Sequence, residues 1–245
     1  MALGYSYPEI ERIVLANVAR GRFTLADRIT RAYARRVYEK RISALSDEEI
    51  LELIDRITGG LAYRARSLDP VRMSYCGSLI AWPEAIPPGG KVLEIGTGIG
   101  RTCYAAVGWA RPSLFVSLDN SPEILAIALY RNPVPMYCKA LMNENVRLCL
   151  CDAIKAVEAM ENIRFDHIIH DGGPSPSKNP RLFGEEFLRK LYELLRDDGT
   201  LSIFAGKHRK WQDKLFHMLK GLGLEVQSVS FPDAPVLIFH ARKPS

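Results

Sequence analysis

Apolar positions follow a helical period through the first part of this chain, and from residue 91 they fall into short runs alternating with helical stretches. Leu15, Val18 and Phe23 open a pattern that Leu25, Ile29, Ala32 and Val37 continue at near-helical spacing. Ser46-Asp47-Glu48-Glu49 reads as a helix N-cap with acids in the first turn, where they complement the helix dipole. The helix so started runs through Ile50, Leu53, Ile54 and Ile57 and stops at Gly59-Gly60. Residues 1–70 are therefore expected to form a helical N-terminal region of two or three helices. Residues 71–90 join it to the rest and end in Pro87-Pro88-Gly89-Gly90.

Beyond that point the pattern predicts strands at 91–95, 114–118, 146–150, 166–170, 200–205, 224–231 and 235–241. Helices are expected between them, at about 100–110, 121–131, 153–160, 183–196 and 208–222. Strands alternating with helices imply a mostly parallel sheet with right-handed crossovers. The last two strands are joined by Phe231-Pro232-Asp233-Ala234-Pro235, too short for a helical crossover, so they should form an antiparallel hairpin. The expected class is α/β: a seven-stranded, mostly parallel sheet over residues 71–245 with a C-terminal antiparallel hairpin.

Composition changes this picture little. Hydrophobic residues make up 47% and charged residues 25%, ordinary for a soluble globular protein. The chain holds no run of 18 apolar residues, and it begins without a charged stretch followed by an apolar core, so neither a membrane span nor a secretory signal is expected. The five cysteines are odd in number and none form a C-x-x-C pair, which argues against a disulfide framework or zinc knuckle and for a cytoplasmic setting. The net charge of +5 permits a polyanionic partner without demanding one.

The chemistry concentrates where strands are expected to end. Lys91-Val-Leu-Glu-Ile-Gly-Thr-Gly-Ile-Gly-Arg101 reads as a strand running into a glycine turn and then a helix. Glu94 stands near the strand's end, and Gly96, Gly98 and Gly100 follow at every second position, with Thr97 between the first two. Such a turn lets backbone approach a ligand closely, and open α/β sheets bind ligands at this edge. The spacing differs from the G-x-G-x-x-G dinucleotide fingerprint, which argues against an NAD-dependent oxidoreductase. Asp119, followed by Asn120, ends the second strand 25 residues beyond Glu94, near the spacing at which an acid meets ribose hydroxyls. It could also cap the next helix, a role open to Ser121. Asp152-Ala153 ends the third strand, where Asp152 could again be an N-cap. His170-Asp171 ends the fourth. Neighbours on an extended segment point to opposite faces, so one of this pair is expected to be structural, with Asp171 the better placed to meet a nucleophile.

A proline-rich loop, Ser175 to Phe183, follows and has the length of a lid or substrate-contacting loop. Gly206-Lys207-His208-Arg209-Lys210 falls at the same edge. A second basic cluster, Arg20, Arg22, Arg28, Arg31, Arg35, Arg36, Lys40 and Arg41, is interleaved with Tyr33 and Tyr38 and countered only by Asp27 and Glu39. Basic residues among aromatics can bind RNA through phosphates and stacking, and they can equally be the solvated face of a helix.

The glycine turn with Glu94 resembles motif I of the S-adenosylmethionine-dependent methyltransferases. Over residues 71–243 the chain is similar to predicted archaeal methyltransferases related to spermidine synthases. The matching pieces are Val92 to Gly100, Leu118 to Leu125, Asn132-Pro133, Cys151-Asp-Ala153, Ile168 to Asp171, and Leu182 to Gly199. The resemblance implies a class I methyltransferase fold with S-adenosyl-L-methionine as cofactor and no required metal. Glu94, Gly96, Thr97, Gly98 and Gly100 would hold its methionine end, Asp119 and Asn120 its ribose, and Asp152 and Ala153 its adenine, with Asp171 as the catalytic residue. Gly172-Gly173 replace the two prolines usual after that acid, which leaves the acceptor open, with RNA favoured slightly by the basic clusters. Spermidine synthases carry D-x-x-D-P in this loop; Asp171 matches the first acid and Pro174 stands at the second, so aminopropyl transfer is the lesser expectation. A non-catalytic S-adenosylmethionine-binding subunit is the other alternative. The N-terminal helices would serve as an interface, for a homodimer among other partners.

Overall fold

The computed structural model describes residues 5–59, 70–173, 175–231 and 235–245. Four helices come first: α1 (Tyr7–Val18), α2 (Phe23–Val37, continued by a π-helical turn Tyr38–Ile42), α3 (Asp47–Thr58) and α4 (Pro70–Ala81). Ser46 caps α3 in a reciprocal box, accepting from Glu49 N–H at 3.2 Å while its own N–H donates to Glu49 Oε2 at 2.7 Å. Gly59 ends α3 in the left-handed conformation. Gly60 and the expected boundary at residue 70 fall in or beside the stretch outside the described residues, and much of the expected linker 71–90 is helix α4.

The alternating half holds β1 (Lys91–Ile95), α5 (Arg101–Ala110), β2 (Leu114–Asp119), α6 (Pro122–Tyr130), α7 (Pro135–Leu141) and β3 (Val146–Leu150). It continues with α8 (Ala153–Ala159), β4 (Phe165–His170), α9 (Glu185–Leu194), β5 (Leu195–Gly206), α10 (Arg209–Gly221), β6 (Glu225–Ser230) and β7 (Leu237–Arg242). The strand order is β3-β2-β1-β4-β5-β7-β6, and β7 runs antiparallel to both of its neighbours. The sheet and its closing hairpin thus match expectation; residues 232–234 of the connection lie outside the described residues. Helix α7 was not expected. Pro135 opens this helix at a position where a missing N–H costs nothing. Strand β5 starts five residues early, at Leu195, with a register shift and Asp198 at φ +61° before regular pairing begins at Thr200.

The buried face of α2 keeps Phe23 and Val37 of the expected pattern but is rotated to take in polar residues. Leu25 and Ala32 are exposed, while Phe23, Ala26, Asp27, Thr30, Ala34 and Val37 are buried. The reason is the sheet edge. β3 is the outermost strand, and its outward amides need acceptors. Asp27 Oδ1 accepts from Leu148 N–H and Thr30 Oγ1 from Leu150 N–H, both at 2.9 Å. Two polar side chains of a helix thereby complete the strand's hydrogen bonding, and the surrounding apolar residues join one continuous core with the sheet. Among the described residues no helix is long and apolar enough to cross a membrane.

Candidate active site

The strand order reverses between β1 and β4, so their carboxyl ends diverge there and open a crevice. Backbone bonds lace the strand ends together: Gly96 N–H donates to Leu118 O, Cys151 N–H to Asp119 O, and Asp171 N–H to Ile95 O, at 2.9–3.0 Å. Above them lies a cavity of about 560 Å³. Of the expected site residues, Gly96, Thr97, Gly98, Asp119, Asn120, Asp152, Ala153 and Asp171 all line it.

Glu94 and Gly100, also expected to hold the ligand, are buried and are not among the lining residues. Glu94 is fully buried beneath the turn, and the Thr102 and Ser117 hydroxyls hydrogen-bond its two oxygens. Ser117 in turn pairs with Thr97 Oγ1 at 2.6 Å. Burial pushes the Glu94 carboxyl up to about 8, with the two hydroxyls opposing that rise. The acid therefore holds the turn from behind. Gly100, at φ +94°, starts α5, and a Cβ there would lie 2.8 Å from Leu141 of α7, so the glycine serves helix packing. Gly96, at φ +92°, sits where a Cβ would come within 2.7 Å of Asp171 O. Two strand-end turns can cross this closely only with glycine at that point.

Asp119 receives the turn's backbone: Gly98 N–H donates to its Oδ2 at 3.2 Å and Ser121 N–H to its Oδ1 at 2.9 Å. Burial raises its carboxyl to about 6 against those hydrogen bonds. Ser121, not Asp119, caps α6, accepting from Ile124 N–H at 3.2 Å. Asp152 does cap α8, its Oδ1 accepting from Ile154 and Lys155 N–H at 2.9 and 3.1 Å, and it lines the cavity as well. Glu11 of α1 reaches the same turn, accepting from Asp152 N–H at 3.0 Å.

Asp171 and His170 do point to opposite faces. His170 is buried away from the cavity, donates from Nε2 to Leu182 O at 2.7 Å and packs 4.4 Å from the Phe183 ring. Burial lowers its pKa to about 4, so it stays neutral and pins the Ser175–Phe183 loop. That loop runs through successive turns and contributes Asn179, Arg181 and Leu182 to the cavity wall. Pro174 lies outside the described residues.

Asp171 faces the cavity with Arg101, whose Nη2 is 2.8 Å from Asp171 Oδ2; the two side chains are 17% and 8% exposed. Burial raises the Asp171 carboxyl above the usual range, and the guanidinium opposes that rise. Arg101, Thr102 and Ser117 escaped the sequence reading, and so did the supporting role of Asn132, whose Nδ2 donates to Ile99 O at 2.8 Å behind the glycine turn. One signal was present: Ser117 interrupts the apolar run of β2. Arg72, Arg181 and Lys207 are exposed at the cavity's rim. In the basic cluster of α2, Arg31 pairs with Asp27, Arg35 with Glu39 and Arg41 with Glu123, while Arg36 donates to Tyr5 O.

Residues 131–227 match a family described as S-adenosyl-L-methionine-dependent methyltransferase. An N-terminal histidine N-methyltransferase of Emericella nidulans is 32% identical over 126 residues, which are 48% of this chain and 20% of that protein. The chain thus spans about a fifth of the length of this curated relative. A crystal structure of spermidine synthase with the transition-state analogue AdoDATO superposes at a TM-score of 0.60, with 20% identity, over 70% of this chain and 61% of the other. Human methyltransferase-like protein 13, in complex with SAH, superposes at 0.55 with 15% identity, over 70% and 81%. The chain has the class I methyltransferase fold.

Proposed function

We propose that this chain is an S-adenosylmethionine-dependent methyltransferase acting on an anionic acceptor, with RNA ahead of a small molecule. The observation that carries the reading is the convergence of Asp119, Asp152 and the Arg101–Asp171 pair on one cavity at the point where the strand order reverses. The matched family segment and the fold support the donor. The donor set fits it: carboxylates on one wall can accept from vicinal hydroxyls and an amino group, and a buried guanidinium offers a partner for a carboxylate.

When bound, the cofactor supplies a methyl group on a sulfonium sulfur. The turn at Gly96–Gly98 and Asp119 would fix its orientation. Orientation alone can contribute ~7–11 kcal/mol towards the barrier. Asp171 would orient the acceptor atom and take its proton as the methyl carbon passes from sulfur, left as a neutral thioether, to that atom, a task that a carboxyl raised by burial suits better than an ordinary one. The rim cations Arg72, Arg181 and Lys207 have no carboxylate partner among the described residues, which supports an anionic acceptor. Arg20, Arg22, Arg28 and Lys40 are further exposed cations of the N-terminal helices and favour RNA.

Calorimetric titration with S-adenosylmethionine, decarboxylated S-adenosylmethionine and NAD tests the donor. Binding of the first is expected; its absence, or preference for the decarboxylated form, would overturn the assignment, the latter in favour of aminopropyl transfer. Labelled methyl groups should enter the RNA fraction of a cell extract, and label confined to protein or small molecules would refute the acceptor. The Asp171→Asn variant should bind the cofactor and lose transfer. Full activity in that variant would remove Asp171 from the mechanism.

A further inference from the structure

Arg101 is the one buried cation on the cavity wall among the described residues; the other cations there, Arg72, Arg181 and Lys207, are exposed. It lies on the first turn of α5, directly after the glycine turn, and its stem is held from the side by α4. A Cβ on Gly77 would stand 2.5 Å from Arg101 Cγ and 2.9 Å from Arg101 O, so the helices meet at a residue without a side chain and the arginine has little room to swing away. Its Nη2 sits 2.8 Å from Asp171 Oδ2.

We infer that Arg101 selects the methyl donor by its carboxylate and, by sharing its charge with that group, loosens its hold on Asp171. The inference rests on the methyltransferase reading. The alkyl end of S-adenosylmethionine carries a carboxylate; Asp119 and Asp152 would repel that group, and the cations Arg72, Arg181 and Lys207 stand exposed to solvent, which leaves Arg101 as the enclosed partner for it. A guanidinium presents five N–H donors in a fork and can serve two carboxylates at once. A second carboxylate on the same guanidinium weakens the attraction felt by the first. Asp171, which burial already drives towards binding a proton, then keeps more of its basicity than it would beside an unshared guanidinium. Donor occupancy and the proton affinity of Asp171 are thus coupled reciprocally. The same arginine disfavours decarboxylated S-adenosylmethionine, whose propylammonium end would meet a buried cation. Arg101 is a positioning and specificity residue in this account, acting on the acceptor through Asp171.

The test uses the full chain and two ligands. S-adenosylhomocysteine has the carboxylate; methylthioadenosine keeps the nucleoside and sulfur and lacks it. In calorimetric titrations Arg101→Met should weaken S-adenosylhomocysteine on the order of 30-fold, the scale of a lost buried charge partner, and leave methylthioadenosine within about threefold. Arg101→Lys should recover part of the loss. Asp171→Asn, by removing the competing carboxylate, should tighten S-adenosylhomocysteine, and that gain should vanish in the Arg101→Met, Asp171→Asn double variant. Equal weakening of both ligands by Arg101→Met would mean a merely structural arginine and overturn the inference. So would unchanged affinity for S-adenosylhomocysteine, or tightening by Asp171→Asn that persists without Arg101. Wild-type chain that binds neither ligand would instead sink the methyltransferase reading itself.

Discussion

Replacing Glu94 with glutamine should remove a pH dependence from the stability of this fold. The wild-type carboxyl is fully enclosed, and burial raises it from 4.5 to about 8. Below its unfolded value it is protonated in both states and contributes no slope. As the pH rises above 4.5 the unfolded carboxyl ionises while the folded one keeps its proton, so the folded state loses ground until the pH passes the folded value. The stabilisation present in acid is therefore lost between 4.5 and about 8. At about 1.36 kcal/mol per pH unit the loss approaches ~4 kcal/mol between about pH 5 and pH 8. The glutamine side chain cannot ionise, fills the same volume and can still meet the Thr102 and Ser117 hydroxyls. Urea denaturation of both proteins at the two pH values reads the effect as a difference of differences, which cancels other titrating groups. The variant should gain on wild type by several kcal/mol on going from the lower pH to the higher. A constant gap would mean that Glu94 is ionised in the fold and that the neutral-acid account of the turn is wrong.

Thr30→Val should leave the Leu150 N–H buried without its acceptor and cost ~1–3 kcal/mol in urea denaturation, whereas Thr30→Ser should retain most of the stability. Equal losses in the two variants would assign the effect to packing and not to the strand edge. Gly96→Ala should weaken S-adenosylhomocysteine binding more than about tenfold by forcing apart the β1 and β4 turns, since its Cβ would fall 2.7 Å from Asp171 O. Unchanged binding in calorimetry would show that the turn tolerates a side chain there.

The strands were legible because their signal is local. Val92, Leu93 and Ile95, or Phe115, Val116 and Leu118, are buried on both faces of the sheet and so form short apolar runs, each interrupted by a single buried polar residue, Glu94 or Ser117. The acids at the strand ends were legible for the same reason: Asp119, Asp152 and Asp171 follow directly on those runs. What the sequence hid depends on partners distant in the chain. Arg101 and Asp171 are 70 residues apart, so nothing near Arg101 distinguishes a buried ion pair from an ordinary helix start. Glu94 looked like a ligand contact because its position is that of motif I; that two hydroxyls, 8 and 23 residues away, enclose it is a tertiary fact. Periodicity misread α2 for a related reason. Leu25 and Ala32 were counted as core, whereas the positions that dock on β3 include the polar Asp27 and Thr30, chosen for hydrogen bonds that a hydropathy pattern does not register.

That docking bears on how the N-terminal basic residues should be weighed. A charge run read from sequence appears as a surface field, yet a guanidinium with an internal partner adds little to one. Arg31 is held by Asp27 and donates to Leu141 O at 2.9 Å; Arg41 meets Glu123 at the start of α6. From the other side Arg131, just after α6, pairs with Asp47 at 2.9 Å and donates to Leu45 O. These contacts tie α2 and α3 to the elements that carry Asp119 and the glycine turn's support, while Glu11 of α1 holds the turn at Asp152. α4 presses on Arg101 through Gly77. The N-terminal helices therefore meet the candidate site's charged residues or their supports. Part of the basic cluster is thereby spent on positioning, and an approaching polyanion would feel chiefly Arg20, Arg22, Arg28 and Lys40 there, together with the rim cations Arg72, Arg181 and Lys207.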